Sequence, residues 1–141
     1  MNFTEVDSQL PIAVMLVHGT ADRHVRLEGG VPEQSMGPAG DRTDASLANA
    51  IDYYRTRNGL GDVPLVQQDG QVRRERYESK GLPPLEVVTL DGGGHAWPGG
   101  PRNQWRGADV PFAWNASRAV VDFFAGLPAR TVGGGGAPAP R

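Results

Sequence analysis

The fold of this chain is decided by the run I-A-V-M-L-V at residues 12–17, which His18 and Gly19 follow at once. The run is continuously apolar rather than alternating, a pattern typical of a strand buried on both faces in a parallel sheet covered by helices. A second buried-type run, L-E-V-V-T-L, occupies residues 85–90. Because a helical segment separates the two runs, they predict parallel pairing and hence an α/β fold.

Two helices are predicted, one before the second run and one after it. The first covers residues 45–58, with Thr43 or Asp44 as its N-cap and apolar side chains at helical spacing. The second begins near Asn115, a favourable cap, and ends at Gly126. Each helix therefore has one apolar face for the sheet.

A β-hairpin is predicted between the first helix and the second run. Its strands cover residues 63–67 and 71–77, and Asp69-Gly70 suits a type I′ turn. Its flanks are polar, so the hairpin is expected at the periphery. Two central-type strands are too few for a parallel sheet, because each needs neighbours on its edges and helices on both sides. The sequence therefore looks like a piece of a larger α/β domain.

Composition and charge exclude several classes of protein. The 141 residues carry a net charge of −2, which gives no case for a nucleic-acid partner. The absence of cysteine excludes disulfide frameworks, cysteine-ligated zinc and thiol nucleophiles, and it leaves the compartment unreadable from thiol usage. No apolar run approaches the ~20 residues that span a bilayer. Residues 1–10 carry no basic residue ahead of their apolar stretch, so no secretory signal is expected.

Ionisable residues follow both buried-type strands. The first loop is H-G-T-A-D-R-H, with Asp22 and His24, and the second is G-G-G-H, ending at His95. The carboxyl edge of a parallel sheet is where ligands bind, so the two loops are expected to meet there. An acid after one strand and a histidine after the next match the end of the order Ser, Asp, His in hydrolases. The alternatives are a turn aspartate that bonds its own backbone and an idle histidine on a glycine loop.

Two segments carry a resemblance to a known family. Residues 18–30, H-G-T-A-D-R-H-V-R-L-E-G-G, and residues 91–100, D-G-G-G-H-A-W-P-G-G, are similar to the acid and histidine loops of the polyhydroxybutyrate depolymerase and feruloyl esterase group of α/β-hydrolases. The resemblance implies a secreted or extracellular serine esterase that cleaves polyester, aryl or short-chain ester bonds without a cofactor. By position, Asp22 would be the charge-stabilising acid and His95 the general base.

The resemblance also implies the domain organisation. Residues 11–128 would form the C-terminal strands and helices of a mainly parallel α/β-hydrolase sheet, with the hairpin at its periphery. Residues 1–10 would be a lead-in. Residues 129–141 are rich in glycine, alanine and proline, and this composition predicts a disordered tail.

The nucleophile of the family is missing from this pattern. No serine lies in a G-x-S-x-G elbow, and Ser35 comes closest, with Gly37 two positions later but Glu33 in place of the first glycine. The oxyanion-hole loop is absent as well, so the isolated chain is expected to be inactive. The alternative is a non-catalytic fragment or assembly half, which would complete a hydrolase with a separate N-terminal partner. The serines considered are Ser8, Ser35, Ser46, Ser79 and Ser117.

Two further candidate sites involve tryptophan and histidine. Trp97 lies two residues after His95 and is predicted to contact the substrate, because ester pockets are mostly apolar. The other two tryptophans, at positions 105 and 114, are predicted to hold the loop on the body. A metal site of His18, Asp22 and His24 is conceivable from their spacing, but no independent ligand cluster supports one, so no metal is expected.

Overall fold

The structure, a computed structural model, describes residues 10–33, 42–102 and 109–128. These residues form a small α/β protein of four strands and two helices. The elements in chain order are β1 (Val14–Gly19), α1 (Leu47–Arg57), β2 (Leu65–Asp69), β3 (Val72–Tyr77), β4 (Leu85–Leu90) and α2 (Ala116–Ala125). The predictions for residues 1–9 and 129–141, for Ser8 and Ser35, and for Trp105 fall outside the described residues.

The four strands form one mixed sheet in the order β1-β4-β3-β2. The parallel pairing predicted for the two apolar runs is confirmed, with Val14 opposite Leu85 and Gly19 opposite Leu90. The predicted hairpin joins the same sheet, because β3 pairs antiparallel with β4. Strand β2 lies at the outer edge, and all of its residues are exposed. Two of the three pairs are thus antiparallel.

Strand β4 is the centre of the protein. Its residues are buried except for the half-buried Thr89, and Leu85, Val87 and Val88 have no exposed surface. Strand β1 differs from its prediction, because every residue before Gly19 is half-buried rather than buried. The reason is that β4 is the only strand that pairs with β1 among the described residues. The prediction that both faces of β1 are buried is therefore wrong for this part of the chain.

The helices cover opposite faces of the sheet. On one face, Leu60, Tyr77, Leu85 and Val87 form the core, and the α1 side chains pack against them from residues 47, 51 and 54. On the other face, α2 places the Phe123 ring beneath the Arg76 guanidinium, 5.8 Å from the ring centroid. Neighbouring residues of β3 point to opposite faces, so α1 and α2 sandwich the sheet between them.

The helix ends show where local polar groups decide the boundaries. The N-cap of α1 is Ser46, whose hydroxyl accepts a hydrogen bond from the Asn49 amide. The prediction of Thr43 or Asp44 as the cap is wrong. Asp44 is buried and engaged elsewhere, in a β-bridge with Gly30 and an ion pair with Arg42 at 2.7 Å. The ends predicted for α2 are confirmed, since Asn115 caps its start and Gly126 its end.

The three arginines of β3, at positions 73, 74 and 76, all have acidic partners. Glu86 of β4 is buried, and its two carboxylate oxygens lie 3.2 Å from Arg74 and 3.0 Å from Arg76. Arg73 pairs with Glu75 across 2.9 Å.

Neither helix in the described part of the chain is long and apolar enough to cross a membrane.

Candidate active site

The loops that leave β1 and β4 meet at the carboxyl edge of the parallel pair. The amide of Thr20 donates to the carbonyl of Leu90 at 3.0 Å, and the amide of Ala21 donates to the carbonyl of Gly93 at 2.9 Å. The Thr20 hydroxyl accepts a hydrogen bond from the Gly92 amide at 2.8 Å. These bonds extend the strand pairing past the ends of the strands, so the two loops are held as one unit.

Glycine is required where the loops touch. A Cβ atom at Gly19 would overlap the carbonyl group of Gly93, and a Cβ at Gly93 would in turn lie 3.2 Å from the Cα of Gly19. Both contacts are with backbone, which cannot give way as a flexible side chain can. Only glycine at these two positions lets the loops approach this closely. This explains part of the glycine triplet that precedes His95.

The close approach brings Asp22 and His95 into hydrogen-bond contact. Nδ1 of His95 lies 2.9 Å from Oδ2 of Asp22, although the two residues are 73 positions apart in the sequence. The Asp22 side chain is 9% exposed, whereas that of His95 is 42% exposed. A buried carboxylate thus supports one nitrogen of an imidazole that remains open to solvent.

The second oxygen of Asp22 is held by its own loop. Oδ1 accepts hydrogen bonds from the amides of His24 at 2.8 Å and Val25 at 2.9 Å. Burial alone would raise the pKa of this carboxyl group, but the hydrogen bonds from Val25, His95 and His24 outweigh it and lower the pKa below its usual value. Asp22 is therefore ionised at neutral pH and can only accept hydrogen bonds.

An ionised Asp22 determines the tautomer of His95. Because the carboxylate can only accept, Nδ1 carries the proton and Nε2 presents a lone pair. No group in the described part of the chain hydrogen-bonds to Nε2. The ring of His24 lies beside that of His95, with 5.0 Å between centroids and a tilt of 47°. In the neutral ring, Nε2 is therefore open to accept a proton from an incoming hydroxyl group.

The sequence analysis missed one residue of this site, Asp109. Its Oδ2 accepts a hydrogen bond from the backbone amide of His95 at 2.6 Å. Asp109 lies 14 positions after His95 in a tryptophan-rich stretch of sequence, where no periodicity or motif marks it. No signal in the sequence could have singled it out.

The predicted tryptophans separate into two environments. Trp97 is 58% exposed, and its indole nitrogen donates to the hydroxyl of Ser117 on α2 at 3.0 Å. Trp114 instead lies beneath the Arg74 guanidinium, 5.3 Å from the ring centroid, where it holds the loop against β3. The exposed ring is therefore that of Trp97, which lies two residues after His95.

The serines in the described residues have other tasks. Ser46 caps α1, and Ser117 accepts the hydrogen bond from Trp97. Ser79 lies in the turn between β3 and β4, at the end of the sheet opposite to the site. None of these three hydroxyl groups hydrogen-bonds to His95. The structure therefore brings together the predicted acid and base, but no nucleophile from the residues that it describes.

Two clefts are open to solvent. One of about 520 Å³ adjoins the site, and its walls include Asp22, Arg26, Glu33 and Asp109. A larger one of about 910 Å³ lies at the other end of the sheet, where Ile12 is among its lining residues. The larger cleft holds none of the predicted site residues. The smaller cleft thus borders Asp22, but neither His95 nor Trp97 is among its lining residues.

The residues proposed for a metal site do not form one. Nδ1 of His18 lies 2.9 Å from the carbonyl of Gly19, and Asp22 is committed to amides and to His95. Among the described residues, no group of three or more histidine or acidic side chains could hold a metal ion.

A scan against protein-family models and searches of curated proteins and of solved structures found no match to this chain.

Proposed function

We propose that this chain supplies the acid and the base of a serine-type carboxylic-ester hydrolase, with Asp22 as the acid and His95 as the base. The observation that carries the proposal is the 2.9 Å contact between His95 Nδ1 and Asp22 Oδ2. It combines a buried, ionised carboxylate, a fixed tautomer and an open Nε2. These are the features that a serine hydrolase needs behind its nucleophile.

The proposed reaction has two steps. A serine hydroxyl attacks the ester carbonyl while Nε2 of His95 takes the hydroxyl proton, and the resulting imidazolium protonates the leaving alcohol. Water then attacks the acyl-enzyme with Nε2 again as base, which releases the acid and the free serine. Asp22 stays ionised throughout and stabilises the imidazolium, a role that its lowered pKa supports.

The nucleophile and the oxyanion donors are proposed to come from a further segment of polypeptide. No described serine bonds to His95, and within the described residues β1 pairs only with β4, so its other edge could accept parallel strands from such a segment. A mainly parallel hydrolase sheet would result, with the pair near its middle. The substrate class follows the resemblance and is a polyester, aryl or short-chain ester, with the exposed ring of Trp97 against its apolar part.

A second candidate is an assembly half without catalytic function. The open edge of β1 favours it, because an unpaired row of backbone groups is a template for a partner strand. This candidate requires pairing at β1 but gives no task to the contact between Asp22 and His95. A measurement of ester hydrolysis therefore distinguishes the two candidate functions.

The experiment is hydrolysis of a short-chain nitrophenyl ester in three preparations. These are the 141-residue chain, its His95→Ala variant, and the chain produced together with the segment encoded upstream of Met1. We expect no difference between the first two, because the nucleophile is missing. In the third, we expect activity that His95→Ala lowers by at least about 10³-fold.

Two matched variants make the experiment specific. His18→Asn changes a histidine that bonds the Gly19 carbonyl, and Asp62→Asn changes an exposed acid, so both should leave the third preparation active. An upstream segment that carries a G-x-S-x-G motif yet yields no His95-dependent activity would refute the proposal. Activity of the isolated chain that is lost in His95→Ala would instead place the nucleophile within these 141 residues.

A further inference from the structure

We infer that Asp109 is a positioning residue for His95, and that it fixes the backbone of the base while Asp22 fixes its ring. The inference rests on the proposed function, because it concerns the same histidine. A histidine that follows Gly92, Gly93 and Gly94 would otherwise sit on a segment with unusual backbone freedom. Something must restrict that freedom if Nε2 is to point in one direction.

The first observation is the hydrogen bond at the backbone of His95. Oδ2 of Asp109 lies 2.6 Å from the His95 amide nitrogen. Hydrogen bonds from a backbone amide to an ionised carboxylate are shorter and stronger than those between neutral groups. The bond anchors the residue at its main chain, whereas the bond to Asp22 anchors it at Nδ1. With both ends held, little rotation is left to the side chain.

The second observation is the space left for the Asp109 side chain. A Cβ atom at Gly94 would lie 2.5 Å from Oδ2 of Asp109 and 2.7 Å from its Cγ. The carboxylate thus occupies the volume that a side chain at position 94 would need. Glycine at position 94 therefore has its own explanation, because it leaves room for Asp109 to reach the amide of His95.

The segment that carries Asp109 is itself tied to the histidine loop. The amide of Gly99 donates to the carbonyl of Phe112 at 2.9 Å, and the amide of Ala116 donates to the carbonyl of Pro98 at 3.2 Å. Asp109 therefore reaches His95 from a segment anchored at the start of α2. Asp22 reaches the same residue from the loop after β1. Two separate parts of the chain thus hold His95, one at its main chain and the other at its ring.

The test is the state of the His95 ring in the full 141-residue chain, measured by nitrogen NMR of histidine-labelled protein. The nitrogen shifts report which ring nitrogen carries the proton, and the proton on Nδ1 reports the bond to Asp22. We expect wild type to hold the Nδ1-protonated form. In Asp109→Ala the fraction of rings bonded to Asp22 should fall by about fivefold or more. Asp109→Asn keeps an acceptor oxygen without the charge, and should fall between the two.

Two controls separate positioning from general loosening and from failure of the proposed function. Thr20→Val removes the side-chain ties of the same loops, to the Gly92 amide and to Asp91, but keeps the Thr20 backbone bond to Leu90, so it should leave the ring as in wild type. Asp22→Asn should remove the signal of the bonded ring but keep the His95 amide bond to Asp109.

Each outcome has one meaning. If Asp109→Ala and Asp109→Asn leave the ring unchanged while Asp22→Asn alters it, the positioning role is overturned and the acid–base pair stands. If Thr20→Val alters the ring as much as Asp109→Ala does, the role is not specific to Asp109 and the inference is also overturned. If Asp22→Asn has no effect on the ring, the proposed function itself fails.

Discussion

Asp22 does two things at once, because each of its oxygens has its own partners. Oδ1 closes the turn by accepting from the amides of His24 and Val25, and Oδ2 faces His95. From sequence, a turn aspartate and a triad acid are competing interpretations of this residue. In the structure they are compatible, since the turn bonds aim the second oxygen at the imidazole.

The lowered pKa of Asp22 predicts a dependence of stability on pH. Its folded pKa lies below the ordinary value of 3.8, so the stabilisation is complete above that value and is lost as pH falls through the folded pKa. Near pH 7, Asp22→Asn should lower the free energy of unfolding by about 1–3 kcal/mol. Urea unfolding at several pH values measures this, with Asp62→Asn as control. If the free energies of unfolding of wild type and Asp22→Asn still differed by the same amount below about pH 3, the prediction would be contradicted.

The approach of Gly19 to Gly93 predicts an asymmetry among glycines. Gly19→Ala places a methyl group into the Gly93 carbonyl, so the loops must separate. We expect a loss of about 1–3 kcal/mol in the free energy of unfolding, together with loss of the Asp22–His95 contact. Gly61→Ala is the matched control, because no atom lies within 4 Å of its added carbon. Equal effects of the two changes on thermal unfolding would show that the loops are not in contact.

At the scale of elements, β4 and the hairpin show what unequal burial means for stability. Leu85 opens β4 and has no exposed surface, whereas Leu65 opens β2 and is 62% exposed. Both are leucines at the first position of a strand in the same sheet. Their different surroundings therefore provide a controlled comparison.

The same substitution should have different effects in the two strands. Leu85→Ala leaves a cavity beside Tyr77 and Val87, so we expect a loss of about 2–5 kcal/mol in the free energy of unfolding. Leu65→Ala should change it by less than about 0.5 kcal/mol. Urea midpoints of the two variants give the comparison. A large effect of Leu65→Ala would mean that β2 is covered in solution.

The sequence predicts these elements well where the signal is local. The run of β1 stands out through continuous apolarity, that of β4 through Val87 and Val88 at its centre, and the caps of α2 through Asn115 and Gly126. Prediction was poorer where distant contacts decide. Asp44 is a good capping residue by type, but Gly30 and Arg42 engage it, and Ser46 takes its place.

The candidate site shows the same division. Asp22 and His95 could be predicted to meet, because parallel strands bring the loops that follow them to one edge. Asp109 could not be predicted, because no pattern in the sequence around it marks its contact with the His95 amide. The half-burial of β1 was equally hidden, because an apolar run reports what a strand could pack against rather than what it does pack against.

At the scale of the whole molecule, the main feature is the second edge of β1, with which no strand pairs among the described residues. The amides of Val14 and Thr20 donate to carbonyls at either end of β4, at 3.1 and 3.0 Å. In a parallel strand, the backbone groups of alternate residues bond to the same neighbouring strand. The N–H of Leu16 is therefore directed at β4, and the N–H of Val17 is directed at the other edge. Apolar edges with free backbone groups favour association.

We therefore expect the isolated chain to associate through β1. Val17→Pro removes a backbone donor that β4 does not use, and should keep the chain monomeric and folded. Leu16→Pro removes one that β4 does use, and should unfold the sheet. Sedimentation velocity over a range of concentrations, with circular dichroism for folding, makes the measurement. Association of Val17→Pro equal to that of wild type would exclude this edge as the contact.

The distance along the chain between Asp22 and His95 has a consequence during translation. Strand β1 leaves the ribosome long before β4 has been synthesised, and the residues of the pair are 73 positions apart. At typical elongation rates of about 5–20 residues per second, the interval is roughly 4 to 15 seconds. The hairpin, whose strands are joined by a short turn, can form as soon as it emerges. The apolar strand that precedes Asp22 thus waits for its partner during the synthesis of about half of these 141 residues.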